Sequence, residues 1–154
     1  MYRRHGDGIE VFLVHPGGPF WTNKDAGAWS IPKGECEADE DPLAAARREF
    51  EEETGFTADG DFRALTPVKA GAQKIVEAWS FEGDADPSVL RSNTFSLEWP
   101  PHSGTIQRFP EVDRGAWFGL SEARRKLVKG QVPLINELEQ QLTGTRPDAN
   151  NKND

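Results

Sequence analysis

The sequence predicts one mixed α/β domain. A length of 154 residues is typical of a single core. Short β-branched and aromatic segments bounded by Gly and Pro are interspersed with segments of helical periodicity, and nine Phe and five Trp supply apolar bulk. We therefore expect an α/β (α+β) domain over residues 1–142 around a mixed sheet. Residues 143–154 hold Pro, Asn, Lys and Asp without an apolar anchor, which is typical of a flexible tail.

The predicted strands follow from their composition and their boundaries. Residues 9–14 are β-branched and aromatic, with Gly8 before them and Pro16 after them. Residues 29–31 form a short extended segment, because Pro32 disfavours the helical region for the residue before it. Four further segments are apolar or alternating at strand length and lie between Gly, Asp and Pro clusters. They cover residues 62–68, 74–81, 94–99 and 112–118.

Three helices are predicted from their end signals. Asp41 is a good N-cap and Pro42 fits the first helical position, while Gly55 suits a left-handed end. Ser121 predicts the N-cap of a second helix that runs to about residue 129. Pro133 begins a third, whose apolar residues recur on one face up to residue 142.

Charge and cysteine usage exclude several kinds of function. Eighteen Lys and Arg against 26 Asp and Glu give a net charge of −8, which disfavours binding to nucleic-acid backbones and anionic membranes. The single cysteine, Cys36, cannot form an intramolecular disulfide. The sequence contains no apolar stretch near the ~20 residues of a membrane span. We therefore expect a cytoplasmic protein whose oligomeric state, monomer or homodimer, stays open.

Three glutamates share one face of the first predicted helix. Glu49, Glu52 and Glu53 are spaced i, i+3 and i+4, so their side chains are neighbours. Their mutual repulsion, and their place in the C-terminal half of the helix, are both unfavourable. A hard divalent cation such as Mg²⁺ or Mn²⁺ would offset this cost, because it prefers oxygen ligands. Arg48 can pair with one of the carboxylates and fix its orientation.

The same helix has an apolar stripe for packing on the sheet. Leu43, Ala46 and Phe50 lie beside the carboxylate face and predict the buried side. Ala45 falls on the carboxylate face, where its small side chain leaves room.

The spacing of residues around this helix is specific. The segment fits the pattern G-x5-E-x7-R-E-U-x-E-E-x-G-U, where U is a bulky apolar residue. Seven fixed positions match by chance with a frequency on the order of 10⁻⁷ per starting point. The chain thereby resembles the Nudix hydrolase family. The matching residues are Gly34, Glu40, Arg48, Glu49, Phe50, Glu52, Glu53, Gly55 and Phe56.

The resemblance implies a fold, a reaction and roles for these residues. It implies an α/β/α sandwich around a mixed sheet and Mg²⁺- or Mn²⁺-dependent hydrolysis of a nucleoside diphosphate linked to another group. It also implies that Arg48 orients a glutamate and that Glu40 ties the loop to the helix. The implied metal ligands are the side chains of Glu49, Glu52 and Glu53 and the backbone carbonyl of Gly34.

The general base of such a hydrolase lies either in the motif or in a loop outside it. Glu52 therefore competes with Glu98 and Glu111 for the proton of the attacking water. Glu111 is slightly favoured, because family members often carry a glutamate before the strand that ends in a Trp such as Trp117.

Substrate contacts are predicted near the motif. The sequence W-x-x-P-K-G over residues 29–34 resembles a segment common in Nudix hydrolases of dinucleoside polyphosphates, and Lys33 can neutralise a phosphate. Trp21 and Trp29 are candidates for stacking on a base, as are other aromatic residues such as Phe20 and Trp99.

These features favour an enzyme that cuts a dinucleoside polyphosphate such as diadenosine tetraphosphate asymmetrically. A hydrolase of (deoxy)nucleoside triphosphates or their oxidised forms is the nearest alternative, and an RNA 5′-end pyrophosphohydrolase is a third. A module that binds nucleotide without catalysis is the alternative of another class, although such a sensor need not keep the three glutamates.

Two further expectations concern other parts of the chain. Only Tyr2, Arg3 and Arg4 precede a Gly-Asp-Gly turn, so the strand that family members usually carry there is expected to be short. The histidines show no catalytic pairing, and we expect all three on the surface: His5, His15 and His102.

Overall fold

The computed structural model describes residues 1–33 and 38–144, so the predicted ligand Gly34 and residues 145–154 of the predicted tail lie outside it. The strands are β1 Tyr2–His5, β2 Gly8–Pro16, β3 Arg63–Ala70, β4 Lys74–Ser80, β5 Thr94–Glu98, β6 Ile106–Pro110 and β7 Val112–Gly119. The helices are α1 Pro42–Thr54, α2 Leu120–Lys126 and α3 Val132–Thr143.

The central sheet is mixed, as predicted. Strands β1, β2 and β7 pair antiparallel in that order. The chain that leaves β4 then runs parallel to β1, since the Tyr2 amide donates to the Phe81 carbonyl at 3.0 Å and the Gly83 amide to the Tyr2 carbonyl at 2.9 Å. Strands β3 and β4 form one antiparallel hairpin, and β5 and β6 form another.

Both faces of β2 are covered, which makes the molecule a three-layer sandwich. Val11 and Leu13 pack with residues of α2 and α3. Phe12 and Val14 point to the opposite face, where Phe56 follows α1. All four side chains are buried, so this strand is continuously apolar instead of alternating. The predicted α/β/α architecture is confirmed.

Helix α1 has the ends that the sequence predicts. The Asp41 carboxylate accepts the Ala44 amide at 3.0 Å, and Pro42 occupies the first turn. Gly55 ends the helix with φ at 76°, and its amide donates to the Glu51 carbonyl at 2.7 Å.

The buried side of α1 differs from the predicted stripe. Ala45, Phe50 and Thr54 are buried, whereas Leu43 and Ala46 are only partly covered. The sequence predicts Ala45 on the carboxylate face, so the helix is rotated toward that face relative to the prediction. The Thr54 hydroxyl is satisfied inside the helix by donating to the Phe50 carbonyl at 2.6 Å, which lets a polar residue extend the buried side.

The other elements correct the prediction at three points. Helix α2 is capped by Gly119 and ends at Lys126, so Ser121 lies inside the helix and is not its N-cap. Strand β6 was not predicted, because its hairpin with β5 is exposed on most positions and lacks clear apolar alternation. Strand β1 is short, as expected. Within the described ranges, no helix has the length and apolar character needed to cross a bilayer.

Candidate active site

The three glutamates of α1 differ in exposure although they share a helix face. Glu49 is 16% exposed at its side chain and Glu52 is 42% exposed. Glu53 is partly buried. The exposure of the carboxylates on this face therefore differs by more than twofold within one helical turn.

Arg48 connects this face to the loop before the helix. Its Nε and Nη2 donate to the two oxygens of Glu40 at 2.8 and 2.9 Å, which is bidentate geometry. Its Nη1 donates to Glu49 at 3.0 Å and to Glu52 at 3.2 Å. The Glu40 carboxylate raises the pKa of Arg48. Arg48 thus holds two carboxylates in place while Glu40 holds the guanidinium.

Glu53 is the most perturbed acid of the face. Burial raises the pKa of Glu53 to about 7. The backbone amide of Lys33 donates to the Glu53 carboxylate at 3.0 Å and opposes this shift, because the bond favours the charged form. The negative charges of Glu49 and Glu111 raise it further. Burial also raises the pKa of Glu49, despite its bond to Arg48.

The donor chemistry of this face suits a hard divalent cation. Carboxylate oxygens are the ligands such cations prefer, and a cation would stabilise two acids whose ionised forms are disfavoured by burial. In residues 1–33 and 38–144, no three His, Cys, Asp or Glu side chains stand together as a ready-made metal centre. Glu49 and Glu52 bond to Arg48 instead. A bound cation would replace part of these bonds.

Glu111 lies beside this face and is exposed. The Glu111 amide donates to the Asn93 carbonyl at 2.9 Å, and the Asn93 amide donates to the Glu52 carbonyl at 2.8 Å. The charge of Glu111 acts on Glu53. Of the two candidate bases outside the helix, Glu111 is therefore the one that the fold brings to the carboxylates.

Glu98 is carried away from the carboxylates. It ends β5, opposite Ile106, whereas α1 is contacted by Asn93 just before that strand begins. At ~3.3 Å per residue, Glu98 lies more than ~13 Å along the strand from the end of β5 that is near α1. The structure does not support Glu98 as a candidate base.

Trp29 is buried and does not lie in a substrate surface. It is 4% exposed, its ring meets His15 and Phe118 edge to face, and its Nε1 donates to Asp25 at 2.8 Å. A ring enclosed in this way is not available for a base to stack on, so we exclude Trp29 from the substrate contacts.

The loop between β2 and Trp29 carries exposed aromatic rings. Trp21 is 37% exposed, and the Lys24 ammonium lies 5.0 Å from the centre of its ring. Phe20 is 59% exposed and meets Trp99 edge to face, with ring centres 5.2 Å apart.

A cavity of about 570 Å³ opens beside Lys33. It lies between α1, the sheet and α3, and its walls include Phe50, Ala78, Phe81 and Ile135. Its size and apolar lining are typical of a small-molecule site. Sequence reasoning missed it, because the lining residues come from elements far apart in the chain.

His15 contradicts the expectation that all three histidines lie on the surface. It is fully buried, with Nδ1 2.9 Å from the Asp113 carboxylate and Nε2 2.6 Å from the Lys24 carbonyl. His5 and His102 are exposed. His15 thus fixes the loop that carries Trp21 to the central sheet. The position of His15 in an apolar predicted strand was the sequence signal for its burial.

Comparisons with known proteins agree with this geometry. A family model described as the NUDIX domain matches residues 1–138. The mRNA-decapping protein g5R of African swine fever virus is 33% identical over 106 residues, which are 67% of this chain and 41% of that protein. The chain therefore spans less than half the length of this curated relative.

Solved structures share the fold. A binary complex of the Ap4A hydrolase of C. elegans aligns with a TM-score of 0.63 at 21% identity, over 94% of this chain and 95% of that chain. The NUDIX domain of Shewanella oneidensis NrtR complexed with ADP ribose aligns with a TM-score of 0.56 at 18% identity, over 92% and 83%.

Proposed function

The chain belongs to the Nudix family, and we propose that it is a pyrophosphohydrolase that cleaves dinucleoside polyphosphates such as diadenosine tetraphosphate to AMP and ATP. The proposal rests chiefly on one observation: the carboxylate face of α1 is bonded to Lys33, which lines a cavity of about 570 Å³, and lies beside Glu111, whose carbonyl is bonded to the loop that carries exposed aromatic rings. Such a site suits a phosphate chain with a nucleoside at each end.

We assign the metal site to the face of α1. Glu49, Glu52 and Glu53 would hold Mg²⁺ or Mn²⁺, with the Gly34 carbonyl as a further ligand. A bound cation would neutralise phosphate oxygens and lower the pKa of a bound water. The Arg48 bonds to Glu49 and Glu52 support a role in orienting these ligands.

The remaining residues handle the proton and the phosphate chain. Glu111 is exposed beside Glu53, so it can accept the proton of the water that attacks phosphorus. Glu52 is the alternative base within the helix. The Lys33 backbone amide donates to Glu53, and Lys33 also lines the cavity, which supports a role for its ammonium in neutralising a phosphate bound at the metal site.

We assign the nucleoside contacts to the cavity and to the loop with exposed aromatic rings. The cavity beside Lys33 would take the first base, since its walls are apolar and aromatic. Trp21 is sufficiently exposed to contact the other end of the substrate, and base stacking on an aromatic ring contributes about 1–3 kcal/mol.

Product analysis by chromatography tests the proposal. Diadenosine tetraphosphate, ATP, 8-oxo-dGTP and ADP-ribose are offered in parallel with Mg²⁺ and with Mn²⁺. We expect AMP plus ATP from the dinucleotide, at a kcat/KM above that of each single nucleotide. Preferential cleavage of a triphosphate would favour the nucleoside triphosphate alternative. Tight binding with no turnover would favour a nucleotide sensor.

The viral relative supports a second candidate substrate, the capped 5′ end of mRNA. That relative is named for mRNA decapping, and a cap is itself two nucleosides joined by a triphosphate. The net charge of −8 opposes binding to the RNA body. Capped RNA and the cap dinucleotide are compared at rising salt. A marked preference for the longer RNA that falls steeply with salt would favour decapping.

A further inference from the structure

Phe20 and Trp99 form an aromatic pair outside the carboxylate face. Their rings meet at 80° with centres 5.2 Å apart; Phe20 is 59% exposed and Trp99 is half-buried. Two partly accessible rings at this angle offer a flat base one ring to stack on and another to meet its edge. We call these two residues the aromatic corner.

Both segments that build the aromatic corner, the loop that carries Phe20 and the β5–β6 hairpin, contact Glu111 or residues next to it. The Gly17 amide donates to the Glu111 carbonyl at 2.9 Å, three residues before Phe20. Gly18 lies directly on the ring of Phe95, since a Cβ added to Gly18 would be 3.0 Å from that ring. Phe95 in turn pairs across the hairpin with Phe109, two residues before Glu111. The corner is thereby fixed on the side of the carboxylates that carries Glu111.

Lys33 lines the cavity, and its backbone amide donates to the Glu53 carboxylate at 3.0 Å. A separate connection to the same helix runs through Glu111, whose backbone bonds both Gly17, ahead of the aromatic corner, and Asn93, which bonds the Glu52 carbonyl. A substrate with its first base in the cavity and its phosphates at Glu53 would therefore extend its second nucleoside past Glu111, toward the hairpin.

We propose that the aromatic corner binds the distal purine of a dinucleoside polyphosphate and so selects substrates with two bases over single nucleotides. This inference rests on the proposed function, because it names how the same site recognises the far end of its substrate. The corner is a binding subsite and takes no part in the chemical step.

Steady-state kinetics test the corner with Phe20→Leu and Trp99→Leu, which keep apolar bulk but remove the aromatic faces. We expect KM for diadenosine tetraphosphate to rise about tenfold, with kcat and the KM for ATP changed less than about twofold. Trp99→Phe should recover most of the loss. An equal rise of KM for ATP would overturn the inference, since it would show that the corner only supports the fold or binds the first base.

Ile106→Ala is the matched control. Ile106 is 64% exposed and belongs to the same hairpin, but it pairs with Glu98 on the face opposite to Phe95 and Trp99. It should change neither KM. Thermal midpoints check that each variant is folded, and Phe20→Leu alters only an exposed ring in case Trp99→Leu fails to fold.

Calorimetric binding separates this inference from the proposed function. Diadenosine tetraphosphate, the cap dinucleotide and ATP are titrated into Glu53→Gln protein with and without Phe20→Leu. If wild type does not cleave the dinucleotide, the proposed function fails, yet a selective loss of two-base affinity would still support the corner. Equal affinity in both proteins would overturn the corner. The difference between the adenine and 7-methylguanine ligands identifies the preferred distal base.

Discussion

The face of α1 and the pairing of loop 17–28 with the β5–β6 hairpin are built in different ways. The α1 face is local: its carboxylates, its arginine and its caps lie within about four helical turns. The hairpin region is assembled from two segments more than seventy residues apart, through contacts such as Phe20 with Trp99. The proposed metal ligands are thus encoded in one short segment, whereas the proposed aromatic corner depends on tertiary packing.

The strongest test of the local region is loss of a ligand carboxylate. We expect Glu52→Gln and Glu53→Gln each to reduce kcat by more than about 100-fold, because loss of even the outer partners of metal ligands costs about 10–100-fold. Glu51→Gln, on the same helix and exposed, is the control. Wild-type turnover in both variants, measured with Mg²⁺ and Mn²⁺, would show that the metal site lies elsewhere.

The next effect concerns the orientation of the carboxylates. Arg48→Ala removes the bonds to Glu40, Glu49 and Glu52, and we expect a loss of about 10–100-fold in kcat/KM and weaker metal activation. Arg48→Lys should recover little, since it cannot bind Glu40 in bidentate fashion.

Arg47→Ala is the matched control for that experiment. Arg47 lies on the same helix but donates to the Ala58 carbonyl and covers the Phe62 ring. Because Arg47 also lines the cavity, the two variants are compared by their activation by metal: if both weaken it equally, Arg48 acts on helix stability and not on the ligands.

A stability effect is expected where strand β7 pairs with β2. A Cβ at Gly115 would lie 2.4 Å from Phe12 and 2.8 Å from Leu90, so Gly115→Ala should lower the free energy of unfolding by about 1–3 kcal/mol. Gly119→Ala on the same strand meets no atom within 4 Å, so it should cost less than about 1 kcal/mol, through the poorer N-cap of α2 alone. Urea unfolding measures both, and equal midpoints would mean that the strands separate at little cost.

The smallest effect is on the pH dependence of the metal-free protein. Burial raises the pKa of Glu53 from 4.5 to about 7, so the folded state holds this proton more tightly than the unfolded state. The resulting stability is complete below pH 4.5 and is lost as pH rises through 7. Glu53→Gln should therefore gain stability relative to wild type between pH 5 and pH 8, measured by urea unfolding in EDTA. A constant difference would show that Glu53 titrates normally.

The two regions also differ in what the sequence predicts. The ends of α1 follow from Asp41, Pro42 and Gly55, whose conformational preferences are local, and the bond between Arg48 and Glu52 follows from their i, i+4 spacing on one helix. The burial of Trp29 was not predictable in the same way, because composition does not tell a core tryptophan from one that stacks on a base.

Long-range contacts account for the other differences. His15 became a core residue because Asp113, from β7, and the Lys24 carbonyl satisfy both of its ring nitrogens. Strand β6 went unpredicted because its exposed residues carry no apolar period. The local sequence around His15 does not reveal its two partners, and the local sequence of β6 does not reveal its pairing with β5.

The C-terminal turn of α1 links the two regions mechanically. Its carbonyls at Glu52 and Thr54 accept the amides of Asn93 and Arg91, both at 2.8 Å, on the chain that leads into β5. Fraying of this turn would therefore break its bonds to the base of the hairpin in the same event. We therefore expect the helix end and the hairpin base to open together, with their amides exchanging hydrogens at a common rate.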